Sequence, residues 1–444
     1  MRKGELYCMD QEETLTDRYF KLSRQLEPRF LTEHVPMVWK AAKGVTVWDI
    51  EGKEYLDCTS GIFVAAIGHS HPKYVKAVSS QVEQLLTCYD RLNEPRIKLA
   101  EKLLRLIPET RGKNKIYLLT TGSEAVEAAV KLSRYFTGKA EIMSFYMSFH
   151  GRTNFTLTLG AKKSRKKGFG PYGGSVVHAP YAYCYRCPFG KTFPECDFFC
   201  VDHLDLVFDT ASTDDVAALV IEPYQGAAGI VVPPPGYLKR IEQWCRKKGI
   251  LLIVDEIQAG FGRTGKLFAF QHDDVEPDLF CTAKGLTSGI PGSAVIGKAE
   301  IMDAPEPGSM STTYAGNPLV ATAALAVLEI MDEERLLENA TKLGNEALES
   351  LSELKDRYEF VGDIRGKGLV MGIEIVTSKS SKTPDSARAK RIVEECFHRG
   401  LLALGPDGFY RNVVELAPAL NITREQLQRA LSILKDSIAA VSKG

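Results

Sequence analysis

The chain has 444 residues, more than one ordinary hydrophobic core accommodates, so size alone predicts two domains or one large domain with a smaller satellite. Its 56 basic and 56 acidic side chains cancel, which excludes the long-range field that draws proteins to nucleic acid or anionic membranes and favours small-molecule chemistry. The polar stretch MRKGELYCMDQEETLTDRYF lacks the apolar run of a secretory signal, no later run has the length of a membrane span, and most of the cysteines are scattered; together these predict a cytoplasmic protein with reduced thiols.

Residues 1–60, with a turn at 49–53 between apolar runs, read as an N-terminal segment that packs with the C-terminal part of the chain. Residues 61–328 alternate short apolar runs with longer amphipathic ones, the pattern of a large α/β domain around a mostly parallel sheet. Four strands are predicted, at 115–120 (KIYLLT), 217–221 (AALVI), 250–254 (ILLIV) and 279–282 (LFCT). The first leads through Gly122-Ser123 into a helix whose Val126, Ala129, Val130 and Ser133 share one face, with Glu124 and Glu127 in its positive first turn. The stretch 159–201, rich in Gly, Pro, Tyr and Cys, is expected to be one long irregular loop. Residues 329–444 bring Glu/Leu/Lys-rich helices, a strand-like GLVMGIEIV, the helix SARAKRIVEECFHRG, a final short strand and a last helix, which read as a smaller α+β domain.

Ligands of open α/β sheets bind outside the carboxyl ends of the strands. In chain order the predicted strand ends carry Gly122-Ser123 at a helix N-terminus, suited to a phosphate, and Glu222 followed by Pro223. Next come Asp255, directly after five buried-type residues and therefore in need of a cation or a donor, and Lys284 within Thr282-Ala283-Lys284-Gly285. A phosphate cradle, an acid and a lysine on neighbouring strand ends match what pyridoxal 5'-phosphate (PLP) requires. The lysine carries the cofactor as a Schiff base and moves the proton, and the acid keeps the pyridine nitrogen protonated. Phe149 and Ile257 are suited to cover the two ring faces.

The sequence closely resembles the class III aminotransferases. The likeness runs through Thr121-Gly122-Ser123-Glu124-Ala125, Phe149-His150-Gly151, Asp255-Glu256-Ile257-Gln258 with Gly262-Arg263-Thr264-Gly265, Thr282-Ala283-Lys284-Gly285 and Ser311-Thr312-Thr313-Tyr314-Ala315-Gly316-Asn317-Pro318. It begins near Val47-Trp48-Asp49 and Gly68-His69-Ser70-His71-Pro72 and reaches the last helix. The resemblance implies a fold-type-I PLP enzyme: a large domain with a mostly parallel sheet plus a smaller α+β domain. It makes Lys284 the Schiff-base lysine and Asp255 the partner of the pyridinium nitrogen. Gln258 approaches the ring hydroxyl, Gly122 and Ser123 hold the phosphate, and His150, Glu222 and Ile257 join the cofactor contacts. Thr313 reaches the phosphate of the neighbouring subunit, which implies a homodimer with shared active sites, or a dimer of dimers.

Two departures bear on substrate. Many ω-aminotransferases of this family clamp a substrate carboxylate with an arginine near the C-terminus, and a glutamate beyond the Glu-Pro motif switches it. Here Val414-Glu415-Leu416-Ala417-Pro418 puts Glu415 at the arginine's place, and Ala227 stands at the switch. A bidentate arginine is the strongest carboxylate receptor available, so its loss points to another kind of amino donor. The expected activity is that of an ω-aminotransferase moving an amino group by ping-pong chemistry. The donor is an amine, a β- or ω-amino compound or a β-amino acyl thioester of coenzyme A, and the acceptor a keto acid such as 2-oxoglutarate or pyruvate. Val64, Ala227, Arg411 and Glu415 are the candidate substrate residues. The competing expectation is a PLP-dependent amino acid racemase or epimerase. Related racemases carry an aspartate, the second base, where Ala227 stands, so Ala227 argues against it.

Other motifs have blander readings. Gly260-x-Gly262-x-x-Gly265 matches a dinucleotide fingerprint as a string but lies too far from its strand and opens no convincing helix. His69-x-His71 lacks a third ligand nearby and reads as a turn. The basic run at 162–167 is expected to be a solvated loop, with binding of a phosphorylated or coenzyme A tail as the sharper alternative. The quartet Cys184, Cys187, Cys196 and Cys200 is spaced for reduced thiols or, alternatively, for zinc or an iron–sulfur cluster, and no metal is expected. The cluster carried by some 4-aminobutyrate aminotransferases beside the phosphate Gly-Ser has no counterpart, because Thr121 and Glu124 occupy the cysteine places.

Overall fold

The computed structural model describes residues 13–31, 35–107 and 114–443. Residues 1–12 of the polar N-terminal stretch read above lie outside them.

A seven-stranded sheet organises the middle of the chain. Its order is Asn114–Leu119, Ser293–Lys298, Leu279–Thr282, Leu251–Asp255, Val216–Ile221, Glu141–Phe145, Val176–Ala179. Neighbours run parallel except at Ser293–Lys298, which is antiparallel to both strands beside it. Parallel strands are covered on both faces, so they read as continuous apolar runs; Val216–Ile221 is buried at every position. Alternate residues feed two cores. Leu219, Ile221, Leu252 and Val254 pack with Leu238 and Ile241 of helix Tyr237–Lys248. Ala218, Val220, Ile253 and Leu279 pack with Val126, Ala129 and Val130 of helix Gly122–Thr137.

The four predicted strands are present with ends shifted by at most one residue. Three further strands complete the sheet. Glu141–Phe145 begins with a buried acid, which spoils an apolar reading, but the Glu141 carboxylate accepts the Thr213 N–H at 2.8 Å. The stretch 159–201 is not one irregular loop. It holds a helical turn at Lys163–Lys166, the edge strand Val176–Ala179 and a 3-10 turn at Cys184–Arg186, and it leads into helix Phe199–Ala211. The edge strand is only four residues long and borrows its regularity from pairing with Glu141–Phe145.

Two smaller sheets flank this one. Trp39–Lys43, Thr46–Asp49 and Glu54–Asp57 are joined by Leu401–Leu402, which pairs in parallel with Glu54–Asp57. The turn at 49–53 closes on Asp49, whose carboxylate accepts the Lys53 N–H at 2.8 Å. The other sheet runs Val361–Gly366, Met371–Ile375, Val413–Leu416, Leu404–Asp407, so three short strands form after residue 400 where one was expected. Among the described residues no helix is long and apolar enough to cross a membrane.

Helix Leu336–Arg357 passes the 366–368 turn at Gly344, where a methyl group would stand 2.1 Å from the Gly368 carbonyl oxygen. Alanine gains about 1 kcal/mol of helix propensity over glycine. Overpacking costs roughly 1–3 kcal/mol, and a contact with backbone on both sides belongs at the upper end. Gly344→Ala is expected to lower the unfolding free energy by about 2 kcal/mol in a urea titration; an unchanged or raised midpoint contradicts this packing.

Candidate active site

The carboxyl ends of the central strands open on a cavity of about 440 Å³. Parallel register brings its two charged anchors together. Asp255 ends its strand opposite Cys281, and Lys284 follows three residues after Cys281 on the neighbouring strand.

Asp255 is 4% exposed and finds the donors that its burial demands. One carboxylate oxygen lies 2.7 Å from His150 Nδ1, and the other accepts the Ile257 N–H at 3.0 Å. His150 Nε2 is buried with no hydrogen-bond partner in the protein. Lys284 sits in the left-handed region at φ 43°, a conformation unfavourable for a side-chain-bearing residue, and its remaining surface faces the cavity. Burial pulls its pKa down to about 8, against the opposing pull of Asp255, Glu222 and Glu415. Glu222 also lines the cavity; burial first, then Asp255, pushes its carboxyl well above the usual range, and its Oε2 has no partner.

Helix Gly122–Thr137 begins at the cavity wall with Thr121 as its cap, accepting the Glu124 N–H at 3.3 Å. Glu124 reaches back to accept the Thr120 N–H at 2.8 Å, and Gly122 and Ser123, the first two residues of the helix, line the cavity where a helix start favours an anion. Gly122 packs closely on Ile257, whose Cδ1 would stand 2.9 Å from a Cβ there and would have to shift to admit one. Gln258 is held against Gly226, where a Cβ would fall on its Oε1, and that oxygen is buried without a partner.

Of the residues expected from sequence, Val64, Gly122, Ser123, Phe149, His150, Glu222, Ala227, Asp255, Ile257, Gln258 and Lys284 line this one cavity. Thr313 and Arg411 are exposed and do not line it. Glu415 is 2% exposed, has an unpartnered oxygen and acts electrostatically on Lys284 without lining the cavity; burial pushes its carboxyl well above the usual range. Sequence reasoning missed Tyr224 and the loop Thr287, Gly289, Ile290, Pro291, Gly292, which form another part of the wall. The small residues of SGIPG, so soon after Lys284, were the available signal.

The basic run is not a solvated loop. Lys162 is 8% exposed and donates to the Gly408 carbonyl at 2.7 Å, and the Arg165 guanidinium lies 4.6 Å from the centroid of the Phe149 ring. The helical turn at Lys163–Lys166 puts residues 162, 165 and 166 on one side at i, i+3, i+4 spacing, leaving Lys163 and Lys167 outside. His69 and His71 each bond a different carboxylate, Asp57 and Glu334, both at 2.8 Å, and so form no pair. Cys184, Cys187, Cys196 and Cys200 are free thiols around a small aromatic pocket. Among the described residues no group of three or more metal-ligating side chains has the arrangement to hold an ion.

The donor set fits PLP. Buried and unpartnered His150 Nε2, Glu222 Oε2, Gln258 Oε1 and Thr282 Oγ1 surround or adjoin a cavity that also holds a lysine, an acid and an anion-binding helix start. A family model described as aminotransferase class-III matches residues 31–438. The chain is 39% identical over 437 residues to a leucine/methionine racemase of Thermococcus litoralis, covering 98% of this chain and 97% of that protein. It is 38% identical to a probable 4-aminobutyrate aminotransferase of Bacillus subtilis, covering 90% and 92% respectively. A solved Bacillus anthracis aminotransferase superposes with a TM-score of 0.89 at 33% identity, covering 96% of this chain and 98% of that one.

Burial of the Lys284 charge has a signature in stability. Its folded pKa of about 8 lies below its usual 10.5, so the unfolded chain holds the proton more tightly. The penalty is complete below the folded value and fades as pH rises toward the unfolded one. Without cofactor, Lys284→Met is expected to unfold at higher urea than the unsubstituted protein at neutral pH, by roughly 1–3 kcal/mol, with the gap closing at alkaline pH. A gap independent of pH contradicts the buried charge.

Proposed function

We propose that this chain, which belongs to the class III aminotransferase family and is a PLP-dependent transaminase, is an ω-aminotransferase taking its amino group from an amine or a β- or ω-amino compound and passing it to a keto acid such as 2-oxoglutarate or pyruvate. The observation that carries the donor class is Glu415, a buried carboxylate close enough to act on Lys284, with Ala227 on the cavity wall in place of a charged partner. Ionised, Glu415 repels a substrate carboxylate. Protonated, it offers one hydrogen bond where a guanidinium offers a fork. The likeness to a probable 4-aminobutyrate aminotransferase, named for an ω-amino acid, supports the same reading.

Bound PLP supplies an electron sink for the carbanion formed when the substrate loses a proton. The protein's own residues do the rest. Lys284 would hold the cofactor and, once free, would move the substrate's proton; its lowered pKa keeps a fraction neutral near physiological pH, as a nucleophile and base must be. Asp255, fixed by His150 and the Ile257 N–H, would keep the proton on the ring nitrogen. Gly122 and Ser123 would hold the phosphate, Phe149 and Ile257 would cover the ring, and Gln258 would serve its hydroxyl; all five line the cavity. Thr313 completes the phosphate site of a second copy in a homodimer. Its exposed loop, where Tyr89 Oη stands 3.5 Å from Ser311 Oγ, adjoins an apolar surface of Leu86, Tyr89, Leu92 and Tyr314.

A racemase reading is favoured by the 39% identity to the leucine/methionine racemase, and opposed by Ala227, which cannot return a proton to the second face. A donor panel assayed with and without keto acid separates the two. The expected result is amino transfer only when an acceptor is present, faster from amines and β- or ω-amino compounds than from α-amino acids. Loss of optical rotation from one amino acid enantiomer without any acceptor selects the racemase. Lys284→Ala is expected to abolish turnover and the visible absorbance of the lysine-bound cofactor while the far-ultraviolet circular dichroism stays unchanged. Residual turnover refutes its role.

A further inference from the structure

Four thiols play no part in the cavity chemistry, yet they stand beside the elements that carry its wall. Cys184 and Cys187 lie on the segment after strand Val176–Ala179, and Cys196 and Cys200 on the approach to helix Phe199–Ala211 and in its first turn. All four are free, and all four line one pocket of about 20 Å³ beside Phe189, Phe193 and Phe199. Cys184 is the exposed one. With Cys187 it also borders a wider cavity of about 730 Å³ whose charged lining residues, Arg186, Lys191 and Lys382, are all cationic.

Residues within three positions of Cys184 hold both ends of the loop 222–230, whose Glu222, Tyr224 and Ala227 line the main cavity. At one end Tyr181 Oη donates to the carbonyls of Glu222 at 2.9 Å and Pro223 at 3.2 Å. At the other, Tyr183 and Arg186 both donate to the buried Glu374 carboxylate. Arg365 joins that carboxylate at 2.7 Å and reaches on to the Gly229 and Ile230 carbonyls at 3.0 and 2.9 Å. Burial first, then Cys187 and Cys196, raises the Cys184 pKa; burial first, then Cys184, pushes Cys200 up to about 12. Cys184 and Cys200 are therefore within electrostatic reach of one another and stay protonated at neutral pH.

We propose that the quartet is a disulfide site, in which Cys184 bonds to Cys196 or Cys200 and ties the support of the active-site loop to helix Phe199–Ala211. The oxidant is a small anionic disulfide, a class that the cationic cavity beside Cys184 admits. The Cys184 thiolate attacks it, forming a mixed disulfide and displacing one small thiol. A thiolate of Cys196 or Cys200 then attacks Cys184 Sγ and displaces the second. Two protein thiols give up two protons and two electrons, and one small disulfide becomes two thiols. The scarcity of the Cys184 thiolate makes this a slow tie rather than a fast sensor. The site does not depend on which amino donor the enzyme takes.

The PLP-loaded protein, freed of reductant, is incubated with oxidised glutathione at a series of pH values from neutral upward. Peptide mass mapping is expected to find Cys184 joined to Cys196 or Cys200, at a rate that rises about tenfold per pH unit as thiolate forms. Closing a loop of about 13–17 residues is expected to raise the melting midpoint by roughly 3–6 °C over the reduced protein. Amide hydrogen exchange is expected to slow in the peptide spanning 222–230. Cys184→Ser loses all three responses, and Cys88→Ser, outside the quartet, keeps them. A bridge that leaves out Cys184, a lasting glutathione adduct, or stoichiometric zinc or iron on the purified protein overturns the proposal. So does a bridged protein whose midpoint and 222–230 exchange match those of the reduced one.

Discussion

The parallel pairing of Leu251–Asp255 with Leu279–Thr282 sets Asp255 opposite Cys281, and the rest of the site depends on that register. A slip of one residue would turn Asp255 from the His150 side into the packing of the opposite face. Register holds because alternate residues are committed to different cores: Ile253 and Leu279 to one, Leu252, Val254 and Phe280 to the other. The apolar runs therefore do more than bury area. They bring an acid and a lysine from separate strands to one end of the sheet, where neither has bulk water to satisfy it.

Charge burial then shapes the cavity's chemistry. Asp255 is supported by an imidazole and a backbone amide, whereas among the described residues Lys284 has no ion-pair partner, only the Phe63 ring with its centroid 5.6 Å from Nζ, and responds by holding its proton weakly. Glu222 and Glu415, both buried and both with an unpartnered oxygen, respond in the opposite direction. A wall of weakly solvated groups of both signs is suited to a substrate that changes charge as its amino group leaves. Asp255 and Lys284 stand at strand ends and Gly122 and Ser123 open one helix, while Glu415 and Ala227 sit apart from them on Val413–Leu416 and on the cavity wall. That separation of shared chemistry from variable recognition is how a racemase and an aminotransferase can both be close relatives of one chain.

Much of this was legible because local pattern encoded it. Continuous apolar runs marked the buried strands, and the residue after each run named its chemical task. The contact of His150 with Asp255 spans 105 positions and leaves no trace in local spacing. The edge strand Val176–Ala179 is too short to show a period, and its regularity comes from its neighbour. The basic run misled because charge argues for solvent, yet the 162, 165, 166 spacing already carried a helical face, and the Phe149 ring gives it something to lie on. Glu415 was visible as a substitution, but only the fold shows that it is buried within electrostatic reach of Lys284.

The central claim is that Lys284, among all the lysines, is the one placed to hold the cofactor. Borohydride reduction of the PLP-loaded protein fixes the cofactor to whichever lysine carries it, and peptide mass spectrometry then reads the position. The account predicts a pyridoxyl group on the peptide containing Thr282-Ala283-Lys284-Gly285, on Lys284 and in one copy per chain. A stoichiometric adduct on any other lysine, Lys162 included, would contradict it.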